Sequence, residues 1–329
     1  MNFYAPFTDE LFEEKPETYS VRLNERPPSS EKNKSFEGNF QFVWDSVSSG
    51  HLKTCPRKYY YSLIEGWTFK VKPVKMAFGI AFHTCQEVFQ HCLAHGLDKP
   101  TTLLRVVRLA GLLGERLPEG PNSHTKETLI RAVVWYNLHF WDDKATPILL
   151  EDGTPAVEYD ARFPFVEING VQTHIIVHLD AIVEFHSQLW FLDHKTSTSA
   201  LDQRFFYKFP IDNQMRLYNL AANVTLDEPV VGGIIDAVQI GVNYIDTNRE
   251  MIEWTPEQNQ EFINDFAGWL SLAAYYAETN TYPQNEAACT HYGGCPFIPV
   301  CSKPASRREA VLKTNFTRRP WDPTVRRDT

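Results

Sequence analysis

The stretch from Ala156 to Thr196 constrains the fold most. It reads "AVEYDARFPFVEI", then "VQTHIIVHLDAIVEF", then "QLWFLDHKT", three apolar runs rich in β-branched and aromatic residues. Asn169-Gly170 is a tight-turn signal between the first two, and His186-Ser187 leaves a two-residue loop between the second and third. A three-stranded antiparallel meander is therefore predicted. Charge sits inside it: Asp180 in the second strand, and Asp193-His194-Lys195 in the third.

Strand side chains alternate faces, so Asp193 and Lys195 share one face while Leu192 and His194 share the other. With a loop at His186-Ser187, Asp180 is expected directly opposite Asp193 on the same face, with Cβ atoms roughly 4.5–5.5 Å apart. Two carboxylates that close repel unless a cation separates them, and oxygen ligands on neighbouring strands suit Mg²⁺ or Mn²⁺. A lysine beside such an ion can orient the attacking water or stabilise charge on a phosphate. A lone D-x-K is more often a solvated strand face. Here both strands are otherwise apolar, which makes three charges on one face costly without partners.

The rest of the chain reads as an α/β fold. Residues 1 to about 45 lack periodicity and carry Pro27 and Pro28, which predicts an extended or partly ordered arm. Helices are predicted over about Ser48–Glu65, restarted by Pro56, and over about Gly79–Ala94. Two more, about Thr101–Leu117 and Lys126–Lys144, make a helical insertion within about 101–150. Later come a helix over about Phe205–Val224, strands in "GGIIDAVQIGVNYI" and at Met251–Trp254, and a helix from Pro256 to about Thr279. The order is helices, meander, helix, strands and helix.

The hydrophobic share of 43% and charged share of 22% are those of an ordinary globular protein. No apolar run approaches the roughly 20 residues of a membrane helix. The acidic, aromatic start does not read as a signal peptide, so an intracellular location is expected. Net charge is −9, yet residues 305–329 hold seven basic residues against three acidic ones, a basic tail read as disordered. An acidic body does not exclude DNA, because metal-binding enzymes need carboxylates; contact must be local.

Two helical pairs extend the pattern. His83 and Glu87 stand four apart in "FGIAFHTCQEVF", as do Gln214 and Tyr218 in "NQMRLYNLA". Either alone reads as an amphipathic helix edge. Taken in order, His83, Asp180, Asp193-x-Lys195 and Gln214-x3-Tyr218 resemble the RecB-like branch of the PD-(D/E)xK nucleases. That resemblance covers roughly 46–304, outside the inserted helices. It implies a mixed sheet flanked by helices, and a divalent metal held by His83, Asp180 and Asp193, with His194 counted in the same set. Lys195 would serve the water, while Gln214 and Tyr218 would support the site and the DNA. Glu87 and Glu158 are supporting carboxylates at most.

The six cysteines are Cys55, Cys85, Cys92, Cys289, Cys295 and Cys301. An intracellular chain keeps them reduced. Cys85 and Cys92 lie seven apart on the His83 helix and read as small buried hydrophobes. Cys289, Cys295 and Cys301 follow at six-residue steps, with glycines and prolines between them that prevent a long helix. Three thiolates need a fourth ligand. Cys55, followed by Pro56 as Cys295 is by Pro296, is preferred over His291. An iron–sulfur subset of the RecB-like family, including AddB subunits and nucleases of CRISPR adaptation, is similar in placing one cysteine before the core and three after. The resemblance implies a [4Fe–4S] cluster. The second-to-third spacing is wider here than in much of that family, and structural Zn²⁺ is the rival.

Arg57, Lys58 and Tyr59 to Tyr61 either track phosphates and stack on bases or are core aromatics with solvated charges. The function expected is phosphodiester hydrolysis on DNA with free ends or single strands, exonucleolytic. The alternatives are a non-cleaving DNA-binding or recombination subunit, an end-processing factor of the CRISPR adaptation type, and an iron–sulfur carrier. The last leaves Asp180, Asp193 and Lys195 unexplained. A recombination or repair protein partner and a homo-oligomer both remain open, and no membrane partner is expected.

Overall fold

The computed structural model describes residues 35–325, apart from 38, 122 and 291–293. Residues 1–34 of the expected arm, His291, and the last four residues of the tail lie outside them. The final stretch of the arm is not free. Phe36–Glu37 (β1) pairs with Phe40–Gln41 (β2), and Val43–Trp44 (β3) enters the central sheet. Asp45 then caps Ser46–Thr54 (α1) with a capping box through Ser48. Pro56–Tyr59 (α2) restarts the helix and runs into a wide turn at Tyr60–Ile64, before Trp67–Phe69 (β4).

Val74–Ala94 (α3) begins about five residues earlier than its apolar spacing predicts. The insertion follows as Lys99–Gly114 (α4) and Lys126–His139 (α5), capped by Asp98 and Thr125. After Thr146–Pro147 (β5), the meander forms as predicted: Val157–Ile168 (β6), Val171–Phe185 (β7) and Gln188–Ser197 (β8). Asn169 and Gly170 both take positive φ, as a type I′ turn requires, and so do His186 and Ser187.

The single helix expected from Phe205 is in fact three pieces. Gln203–Phe206 (α6) and a 3₁₀ turn at Phe209–Ile211 precede Asn213–Thr225 (α7). Pro210 has no N–H to donate, and the Asp212 carboxylate caps a new helix by accepting from Gln214 and Met215 N–H. Val230–Ile240 (β9), Ile245–Glu253 (β10) and Pro256–Thr279 (α8) follow.

Seven strands form the central mixed sheet, in the order β10-β9-β8-β7-β3, with β5 and β6 also paired to β7. β8 runs parallel to β9, and β3 parallel to β7. Gly232 allows β9 and β10 to approach: a Cβ there would lie 2.0 Å from the Ile252 carbonyl oxygen. The main core lies between the sheet, α7 and α8, around Phe191, Leu217, Phe266 and Trp254. A second core joins α3, α4 and α5 to Val238 and Ile240 of β9, so the insertion packs on the other face.

The C-terminal segment is not the disordered tail expected of its charge. After Ile298–Cys301 (α9), Ala305–Asn315 (α10) leads into Phe316–Arg318 (β11), which pairs with β4. Leu312 and Phe316 pack against Tyr61, Trp67 and Phe297, and Phe316 stacks on Phe297 with ring centroids 4.8 Å apart. These few apolar residues are enough to dock an otherwise basic helix.

Candidate functional site

β7 and β8 pair from Phe185↔Gln188 only as far as Ala181↔Leu192. Beyond that pair β8 follows β9, and the strands part at Asp180. The alternation of β7 also slips here. Ile175, Val177, Leu179 and then Ile182 face the main core, whereas Ala181 and Val183 pack with Trp190, Leu192 and Ile234 on the other side. Across the β6 edge, Glu158 takes φ 52 between the pairs Val157↔Ala181 and Tyr159↔Leu179. A left-handed glutamate inside a strand costs of order 1–3 kcal/mol, and such strain concentrates at functional sites.

The facing pair of carboxylates expected on one face is therefore not what forms. Asp180 turns into the gap. Its Oδ2 accepts the His194 backbone N–H at 2.8 Å and lies 3.0 Å from His194 Nδ1. His83 Nδ1, from α3, lies 3.3 Å from Asp180 Oδ1 and 3.2 Å from Oδ2. Potential ligand atoms of His83, Asp180 and His194 all fall within 4.8 Å of one another. Among the described residues this is the group that could hold a metal ion; Asp193, Glu87 and Glu158 are not in it.

Asp193 turns the other way, towards α7. It is 1% exposed, with Lys195 Nζ 2.5 Å from Oδ2 in ion-pair rather than hydrogen-bond geometry. Lys195 donates to Gln214 Oε1 at 3.0 Å, and Gln214 Nε2 donates to the Tyr218 hydroxyl at 2.8 Å. The Asp212 cap fixes Gln214 in the first turn of α7, and Tyr218 follows one turn later on the same side.

The electrostatics of the two acids diverge. Burial would raise Asp180, but the His83 charge and hydrogen bonds from His194 and His83 outweigh it and hold the carboxyl well below its usual range. Burial raises Asp193 and the Asp180 charge adds to this, against the pull of Lys195. Burial lowers His83, yet Asp180 and then Asp193 raise it overall. Both acids thus act on His83 although only Asp180 touches it.

Sequence reasoning missed two residues behind His194. Tyr136 of α5 packs its ring edge-on to His194, with centroids 5.5 Å apart, and donates to Asp236 Oδ2 at 2.7 Å. Asp236, the β9 register partner of His194, is fully buried and held by Arg249. Tyr136 read as one more apolar position of an amphipathic helix. An aspartate inside the apolar run "IIDAV" was the available signal.

Apart from this group, residues 282–285 zip onto the α1–α2 junction. Arg57 N–H donates to the Pro283 carbonyl at 3.1 Å, and Asn285 Nδ2 donates to the Thr54 carbonyl at 2.8 Å. Cys55 Sγ accepts the Asn285 N–H at 3.4 Å. Cys55, Cys289 and Cys295 line a cavity of about 230 Å³, shared with Lys58. Cys301 ends α9 beside them. Burial, then the Cys295 and Cys55 thiols, push Cys289 up. Burial also pushes Cys301 up, Arg57 pulls it down, and Cys295 and Cys55 add to the rise. All six cysteines are free of disulfides. Cys85, fully buried on α3, is pushed up to about 12 by burial alone, which leaves it an inert core thiol. Of the adjacent aromatics, Tyr59 and Tyr61 are core residues, while Tyr60 is partly buried against Tyr282.

None of the curated proteins matches the chain. The solved structures to which the chain is similar include two. One, the crystal structure of SSO0001, has a TM-score of 0.35 at 12% identity and covers 80% of this chain and 87% of its own. The other, described as a candidate exonuclease of Eubacterium rectale, has a TM-score of 0.49 at 10% identity and covers 82% and 92%. The family model of the PD-(D/E)XK nuclease superfamily matches residues 48–302, most of the 329. The chain belongs to the PD-(D/E)XK nuclease superfamily, hydrolases of phosphodiester bonds.

Proposed function

We propose that this nuclease is a metal-dependent DNA exonuclease with a structural iron–sulfur cluster. The observation that carries the first part is the grouping of His83, Asp180 and His194 within 4.8 Å beside the Asp193–Lys195–Gln214 chain. One carboxylate and two imidazoles suit Mn²⁺ better than Mg²⁺, which prefers oxygen ligands, and either ion would keep coordination positions for water and phosphate oxygens. When bound, such an ion lowers the pKa of its water and polarises the phosphate.

The chain's own residues supply the rest. Lys195, steered by Asp193 and by the Gln214 carbonyl oxygen, presents a fixed positive charge where negative charge develops in the transition state. Tyr218 restrains Gln214, so that Lys195 is aimed before substrate arrives. Asp193, raised by burial, is the second carboxylate whose charge reaches His83.

The cysteine cavity supports the cluster over zinc. A tetrahedral zinc with Zn–S of 2.3 Å needs sulfurs about 3.8 Å apart. Among the described residues, no three of these thiols come within 4.8 Å of one another, while a cavity of about 230 Å³ is lined by Cys55, Cys289 and Cys295. Three thiols spread round that space, with Cys301 on the adjoining helix as the fourth ligand, suit a larger inorganic core. Its role is to staple segments some 230 residues apart in the chain.

The test is digestion of circular, blunt-ended and end-labelled single-stranded DNA with Mg²⁺ or Mn²⁺. Exonuclease activity degrades linear DNA from one labelled end and spares circles. Cleavage of circles refutes the exonuclease reading, and absence of cleavage on every substrate refutes catalysis.

A further inference from the structure

We infer that the helical insertion is part of the metal centre: Tyr136, braced by Asp236 and Arg249, sets the His194 ring so that Nδ1 faces the ion. This rests on the metal reading above and adds a positioning residue to it.

His194 is 2% exposed and its two ring nitrogens differ. Nδ1 lies 3.0 Å from Asp180 Oδ2. Nε2 is buried and meets no hydrogen-bond partner among the described residues. Metal-binding histidines ordinarily have their orientation fixed by an acceptor for the second nitrogen. Packing supplies that constraint here. The Tyr136 and His194 rings meet in a T-shaped contact at 67° between planes, with centroids 5.5 Å apart, which blocks rotation of the imidazole.

Tyr136 is itself immobilised. Its hydroxyl donates to Asp236, its ring lies tilted against Phe140 at 4.6 Å, and Phe82, next to His83 in the chain, meets it at 5.7 Å. Arg249 ties Asp236 to Asp143 beyond the end of α5, through contacts of 2.5–3.0 Å. One side chain of the insertion therefore touches the neighbours of both histidines.

The experiment titrates Mn²⁺ into full-length protein by calorimetry, with thermal midpoints measured in parallel. Asp180→Asn must lose most Mn²⁺ affinity; if it does not, the metal reading falls and this inference with it. His194→Phe should weaken Mn²⁺ clearly. Tyr136→Met should weaken it about 10–100-fold, the usual cost of an outer partner, while Tyr136→Phe, which keeps the ring, should stay near wild type. In the His194→Phe background Tyr136→Met should have no further effect on affinity. A purely structural Tyr136 gives a lower melting temperature with unchanged affinity, which overturns the inference. Should Tyr136→Met not fold, wild-type affinity in His194→Phe overturns it equally.

Discussion

The ammonium of Lys195 stands 2.5 Å from Asp193 Oδ2, two residues back on the same strand face, and its second partner is Gln214 on α7. Lys195 is thus held from the strand and from the helix at once. Lys195→Ala removes a preorganised charge, and cleavage should fall by roughly 10²–10³. Asp193→Ala should fall at least as far, because it frees Lys195 and removes the second carboxylate. Both proteins should keep the wild-type circular dichroism spectrum. Near wild-type rates for either variant would remove these residues from the mechanism.

Arg249 bridges two acids, with Asp236 fully buried and Asp143 mostly so. Arg249→Met leaves Asp236 buried without its counter-charge, which costs about 3–5 kcal/mol. Urea unfolding should show that loss as a lower midpoint. A midpoint within error of wild type would mean that water reaches Asp236.

Much of this architecture is written in local chemistry. Asn169-Gly170, His186-Ser187 and the Thr255-Pro256 start of α8 fix turns and caps without reference to the rest of the chain. The slip at Asp180 is not. It depends on a left-handed Glu158 on the neighbouring strand, and glutamate carries no propensity that announces positive φ. Strict alternation therefore set Asp180 and Asp193 on one face, and only the parted strands reveal that they serve different partners. Likewise, residues 305–318 look like a solvated basic tail until Phe316 finds Phe297.

That docking has a measurable energy. Phe316 is 6% exposed, stacks on Phe297 and anchors the strand paired with β4. Burial of a phenylalanine makes Phe→Ala cost about 3–5 kcal/mol in a full core; this small satellite cluster should lose less, and locally. Limited proteolysis of Phe316→Ala should release the segment after α9 while the central sheet stays intact. Unchanged protection of that segment would show that Leu312 alone holds it.

Lys53 supplies a pH dependence away from the metal centre. Its ammonium lies over the Phe262 and Phe266 rings and donates to Asn213 Oδ1 at 2.6 Å. Burial lowers it to about 8 from 10.5, against the pull of Asp265 and Asp212. The fold therefore binds this proton less well than the unfolded chain does. The resulting penalty is full below pH 8 and disappears as pH rises towards 10.5. Lys53→Met should raise the urea midpoint at pH 7 and lose that advantage above pH 10. An equal gain at both pH values would assign the effect to packing rather than charge.

The cysteine clasp gives the sharpest contrast with the metal centre. His83 and His194 are each already hydrogen-bonded to Asp180, so EDTA should stop cleavage with little change in melting temperature. The clasp differs because its thiols lie on segments far apart in the chain: Cys55 at the α1–α2 junction, Cys289 and Cys295 around the turn at Gly294, and Cys301 at the end of α9. Metal binding to such a set contributes folding free energy directly. Anaerobically purified protein should be brown and contain iron. Cys55→Ala should lose the colour, melt at lower temperature, and be cut by protease near both residue 55 and residues 289–301. Colourless protein with stoichiometric zinc and no iron rules out the cluster. Unchanged metal content in Cys55→Ala would instead show that the fourth ligand lies elsewhere, and the staple between the two ends of the domain would then have to be sought outside Cys55.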